Sequence, residues 1–271
     1  MNYPRVGAEL GALPKLHVYV DECGDRGLGP RSSAFFAMTA LMVPAEDDWT
    51  TRFTAGGLRA LIHRSNPASV VPLHWADHFK AKRPERRLRA AQALAAMPSA
   101  RVVHAVVPKW LARESLASPL ADGGRFYSIT ARMLLEGVAS ASQAWAGGPR
   151  LAVVRLGAVR GMDHTDTVTY LSQVRSGRDG ERDIPWQHIK WPPAWVGTDW
   201  DGVQLADLNS GLLHTALAGR PQDDACAENL LLCKRQLHRS PAGDLLGHGV
   251  RVLGDRRFVT ERCWWPKWNI P

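Results

Sequence analysis

LHVYVDECGDRG, residues 16–27, changes character halfway along. Leu16, Val18 and Val20 alternate with His17, Tyr19 and Asp21, the period of a strand with one buried face. After Asp21 come residues that leave strands: acids, glycines and Cys23. AFFAMTALMV (34–43), closed by Pro44, is a second apolar run, so 16–43 is predicted as an antiparallel hairpin with an elaborated turn. Outward from it, helices are expected over 51–63, from Pro84 to Pro98, over 124–145, 165–174 and 201–217. Strands are expected over 101–107, 151–156 and, more briefly, 186–190, followed by a Pro- and Trp-rich loop over 191–199. Beyond Arg220 the pattern loosens into a helix near 227–237 and a strand pair within 250–260. Strands alternating with helices make this an α/β chain, with a sheet covered on both faces. The main domain is expected over 15–218, with 219–271 as a small C-terminal extension packed on it.

With 271 residues, 45% of them apolar, the chain can bury a sizeable core. It has 34 basic and 26 acidic residues, a net charge of +8 that permits a polyanionic partner. The four cysteines show no CxxC pair, which argues against a zinc ribbon or disulfide framework and for a reducing, cytoplasmic setting. The opening MNYPRVGAELGALPK does not read as a signal peptide, and no run approaches eighteen apolar residues, so a membrane span is not expected. Eleven tryptophans crowd at 186–200 and 264–268, either as core packing or as base-stacking platforms.

Two segments carry candidate chemistry. Asp21 ends a strand, with Glu22 and Asp25 on the turn after it; carboxylates on a sheet rim can gather oxygen ligands for Mg²⁺ or Mn²⁺. The plainer alternative is an Asx-turn. In DGVQLADLNSGLLHTAL (201–217), Asp207 sits on a helix with almost no polar face, where a carboxylate needs a cation or hydrogen-bond donors. The plainer alternative for Asp207 is a structural hydrogen bond to an adjacent loop.

HVYVDECGDRG, SSAFFAMTALMV and DGVQLADLNSGLL, in that order and spacing, resemble the domain-of-unknown-function 3800 family, over approximately residues 15–218. That family has a strand reading roughly YIDESGD, an FF-containing strand and a late helix reading roughly QLADLVAG. The resemblance implies a ribonuclease H-like mixed sheet flanked by helices, the architecture of many two-metal nucleases. It implies Asp21 as the acid bridging the metals, Glu22 and Asp25 as further acids, and Asp207 as the acid of the final helix. Such carboxylates hold cations roughly 4 Å apart, one activating water and one stabilising the leaving oxygen. Cys23 stands where the family has Ser. Where family members carry an acid and an arginine after the strand matching LAVVRLGAVRG, this chain has Arg155 and Arg160 without an acid in the strand. Either Asp163 supplies the missing ligand or the site is incomplete.

The run KAKRPERRLR (80–89) is the densest positive stretch. Lys80, Lys82 and Arg83, with Arg155 and Arg160, are candidate phosphate contacts, and otherwise belong to a solvated face. His74 is a candidate substrate contact; His74 and His78, four apart, lack a recognisable third zinc ligand. No P-loop, G-x-G-x-x-G or G-x-S-x-G motif occurs. The expected function is a divalent-metal-dependent nuclease acting on DNA or RNA. The alternative is a non-catalytic nucleic-acid-binding or regulatory protein of phage defence or a mobile element.

Overall fold

The computed structural model describes residues 13–27, 29, 31–66, 70–110, 123–177 and 184–270. The hairpin forms the centre of the sheet. β1 (Lys15–Cys23) pairs antiparallel with β2 (Phe35–Pro44), Leu16 opposite Pro44 and Asp21 opposite Thr39. All ten residues of β2 are buried, as its unbroken apolar run requires of a central strand. β3 (Arg101–Pro108) adds antiparallel to β2, and β4 (Leu151–Gly157) adds parallel to β1. β5 (Ala194–Val196) extends β4 and β6 (Val250–Val252) extends β3, both parallel. The order is β5-β4-β1-β2-β3-β6, and β2 runs against all the others.

Strand alternation divides the core. Leu16, Val18 and Val20 face α4 (Gly123–Gln143) and α5 (Thr165–Arg175). Tyr19 and Cys23 face the other side, occupied by α1 (Trp49–Ile62), α3 (Pro84–Ala95) and α6 (Asp201–Ala218). Asp21, between Tyr19 and Cys23 in this alternation, points to the α6 side, and Glu22 to the α4 side.

Several expected elements differ. Residues 186–190 form a 3₁₀ turn at Trp186–His188 with one bridge from Ile189 to Ala152, not a strand. Pro192 and Pro193 lack the N–H groups a ladder needs, and the strand of this region is β5, inside the expected loop. Within 250–260 only β6 is a strand; α8 (Arg257–Thr260) follows, and then α9 (Trp265–Asn269). The helix near 227–237 shortens to α7 (Glu228–Leu232) between 3₁₀ turns. A short helix, α2 (Trp75–His78), had no sequence signal beyond its histidines. The segment 219–271 shares the main core: Leu230, Leu237, Val259, Trp264 and Trp268 are buried in the cluster that covers α6, and β6 belongs to the main sheet. Tryptophans 264 and 268 are core packing, with no exposed face for a base.

α6 packs on β1 and β2 and also receives α2. Trp75 lies flat against Gly211, where a methyl group would come within 2.0 Å of the indole. Gly211→Ala gains intrinsic helix propensity but collides with a half-buried ring that is stacked on Phe79 at 5.5 Å. The substitution should therefore destabilise the protein by about 1–3 kcal/mol in chemical denaturation. An unchanged or raised midpoint would show that the Trp75 contact does not constrain α6.

Candidate functional site

The C-terminal end of β1 brings three acids to one rim. Asp21 and Glu22 are partly buried and Asp207 is buried. Asp21 and Asp207 lie within hydrogen-bonding reach of each other. Burial, then the negative charges of Glu22 and Asp207, hold the Asp21 carboxyl well above its usual range. Burial likewise pushes Asp207 up to about 6 and Glu22 to about 7, the latter against the opposing pull of Arg26. Two such carboxylates either share a proton or need a cation between them.

Each acid is positioned by the backbone around it. Asp207 Oδ2 accepts the Trp75 backbone N–H at 2.6 Å, at the start of α2. The structural hydrogen bond weighed as the plainer reading of Asp207 is thus real, yet the carboxyl also faces Asp21. Ser210, one turn along α6, donates its hydroxyl to the Asp21 backbone carbonyl at 3.0 Å. Gln204 accepts Leu73 N–H at 3.0 Å and donates to Thr198 and Asp199 carbonyls, tying the segment before α2 to the loop before α6. Gly157 ends β4 beside Asp21, where a side chain would meet Asp21 Oδ1 at 2.7 Å. The strand that was expected to need an acid presents this glycine instead, leaving the space to Asp21.

Two expected site acids are used elsewhere. Asp25 builds the turn: Oδ1 accepts Gly27 N–H at 2.8 Å and Lys109 Nζ at 3.0 Å, and Oδ2 accepts Ser33 N–H at 2.7 Å. Although burial opposes it, these bonds hold the Asp25 carboxyl well below its usual range. The Asx-turn reading is correct for Asp25. Asp163 is exposed and accepts Thr165 N–H at 2.9 Å, at the entry to α5, rather than joining the Asp21 rim.

Other candidates divide similarly. His74 caps α2 with its ring 3.1 Å from Asp77, and its charge acts on Asp207. His78 Nδ1 accepts the His74 backbone N–H at 3.0 Å, and no third ligand joins the two imidazoles among the described residues. Arg155 lies over Tyr19 and Trp200, at 5.7 and 4.8 Å, on the Asp21 face of the sheet. Arg160 is exposed in the turn after β4. Lys80, Lys82 and Arg83 are exposed in the turn joining α2 to α3, and Arg87 lies over Trp75 at 5.2 Å. The basic run therefore adjoins the element that holds Asp207.

On the Glu22 side stand groups without a motif. The Tyr127 hydroxyl accepts Trp195 Nε1–H at 3.2 Å; burial and the charges of Glu22 and Asp21 raise its acid range. His164 stacks on Trp195 at 4.7 Å. Arg26, whose charge acts on Glu22, Tyr127 and His164, completes this wall. Only the position of Trp195 in the tryptophan-rich stretch hinted at it.

Asp21 and Asp207 form no ion pair with Lys or Arg among the described residues, so the charge of their pair suits a divalent cation. Among those residues no group of three His, Cys, Asp or Glu side chains forms a ready metal cage. Asp21 and Asp207 are the residues that could hold a cation at this rim; Mg²⁺ is commonly held by one or two carboxylates, waters and substrate phosphates.

The acids give a pH dependence opposite to that of an ion-paired carboxylate. Their folded-state values lie above the ordinary 3.8 and 4.5, so between about pH 4 and 7 the folded chain binds more protons than the unfolded chain. Their contribution to stability should thus be present below about pH 4 and lost as pH rises to about 7 in chelator. Asp207→Asn should flatten that slope and stabilise the protein at pH 8 by about 1–3 kcal/mol. Asp25→Ala should do the reverse, costing about 1–3 kcal/mol at pH 7 by stripping the turn and the buried Lys109 of an acceptor. Equal behaviour of the two variants in thermal melts from pH 4 to 8 would contradict this division of roles.

Comparison with protein-family models, curated proteins and solved structures finds nothing that matches this chain.

Proposed function

We propose that this chain is a ribonuclease H-like member of the domain-of-unknown-function 3800 family and a divalent-metal-dependent nuclease of the cytoplasm. The observation that carries this reading is the pair of carboxylates brought within hydrogen-bonding reach, Asp21 on β1 and Asp207 on α6, both held above their ordinary range chiefly by burial, at one rim of a mixed sheet. Helices on both faces and an acid on the last core helix are consistent with the same fold.

Asp21 and Asp207 would hold Mg²⁺ or Mn²⁺, with Glu22 beside them. Once bound, such a cation supplies an acidified water for attack on phosphorus and positive charge for the leaving oxygen. Trp75 N–H orients Asp207, and Ser210 holds the backbone of Asp21. The Tyr127–Trp195–His164 wall stands on the Glu22 side, and burial with the charge of Glu22 keeps the Tyr127 hydroxyl protonated. The turn carrying Lys80, Lys82 and Arg83 supplies positive charge for a nucleic-acid backbone, and His74, at the start of α2 beside Asp207, is a hydrogen-bonding contact.

A second reading, nucleic-acid binding without cleavage, draws support from the structural employment of Asp25 and Asp163, which leaves fewer acids for ligation. Incubation with labelled DNA, RNA and hybrid, in Mn²⁺, Mg²⁺ or chelator, separates the two. Metal-dependent cleavage is expected, reduced roughly a thousandfold or more by Asp21→Asn or Asp207→Asn with folding intact. Binding of polynucleotide without cleavage of any substrate would select the second reading. Neither binding nor cleavage would remove both.

A further inference from the structure

Away from the acids, α1 and α3 enclose a groove of about 890 Å³. Its floor is apolar: Leu58 and Met97 are buried there, with Ala93 between. Its outer lip is Trp49 and Phe53, one turn apart on α1, 62% and 77% exposed, in edge contact at 6.4 Å. Large rings so exposed contribute little to the stability of this chain, and aromatic side chains beside an apolar pocket are where interface binding energy concentrates.

Charge is distributed unevenly along the groove. Arg64 and Arg89 line one end, and Arg86 joins them in the adjoining hollow with Glu85 as the nearby acid. Arg64 and Arg83 both act on Arg86 as like charges, so this end is a repulsive cationic cluster. Asp47 marks the other end, beside Trp49. That end follows Pro44, opposite Leu16 at the start of β1, and so lies at the end of the central strands remote from Asp21.

We propose that this groove docks an amphipathic helix of a protein partner, with acidic residues at the end that meets Arg64, Arg86 and Arg89. The 14 residues of α1 span about 21 Å, room for a partner helix of about 12–14 residues. Apolar side chains at i, i+4 and i+7 would fill the floor between the aromatic lip and α3. A polynucleotide fits less well: its phosphates are spaced along its whole length, whereas the cations cluster at one end and Asp47 closes the other.

The test places a photo-crosslinking benzoylphenylalanine at position 53 of the full chain, in the cells that produce it, followed by sequencing of the crosslinked peptide. The expected product is one protein crosslinked through an acidic amphipathic helix, lost in Arg64→Glu/Arg89→Glu and regained when the partner's acids are changed to lysine. Trp49→Ala/Phe53→Ala should abolish the crosslinked complex in pull-down while leaving the melting temperature within about 2 °C. A crosslink to a second copy of this chain, a crosslink to nucleic acid, a helix indifferent to the charge reversal, or no crosslink would each overturn the proposal. None of these outcomes depends on nuclease activity.

Discussion

The contact on which the site depends is that between Asp21 and Asp207, two carboxyl groups brought together where α6 crosses β1. Like charges out of water repel, so the fold must hold this pair against its own electrostatics. It does so with neutral partners: the Trp75 N–H on Asp207, the Ser210 hydroxyl on the Asp21 carbonyl, and Gln204 tying two loops to the same helix. In a protein built only for stability, such a pair would be replaced by apolar residues of similar volume.

The small residues explain how these groups come so close. Gly157 leaves the space that the Asp21 carboxyl occupies, and Gly211 lets the Trp75 indole lie on α6. Trp75 in turn stacks on Phe79 and lies under Arg87, joining the basic turn to the acid rim through one short helix. Position and charge are coupled, because the element that orients Asp207 also begins the most basic stretch of the chain.

Asp21 and Asp207 converge in space, whereas Asp25 is held in the turn. The family hallmark groups Asp25 with the other acids, but here its carboxylate closes the turn onto Ser33 and the buried Lys109. Glu22 is adjacent in sequence to Asp21 yet projects to the opposite face, towards Tyr127 and Arg26. Of the neighbouring acids, Glu22 still lies close enough for its charge to act on Asp21, whereas the Asp25 carboxylate is taken up by the turn.

The sequence alone determined what local chemistry controls: the hairpin, the main helices and the principal strands, because apolar periodicity and turn residues act over a few positions. It also marked Asp21 and Asp207, since an acid at a strand end and an acid on an apolar helix are conspicuous in one dimension. Only the tertiary structure decided their partners. The use of Asp25 and Asp163 depends on Lys109, Ser33 and Thr165, and the Tyr127–Trp195–His164 wall joins three separate segments. The placement of β5, β6 and the buried tryptophans 264 and 268 was likewise a matter of which surfaces the rest of the chain left uncovered. Short strands and loops carry too little periodicity to fix their own conformation, so long-range packing fixes it for them.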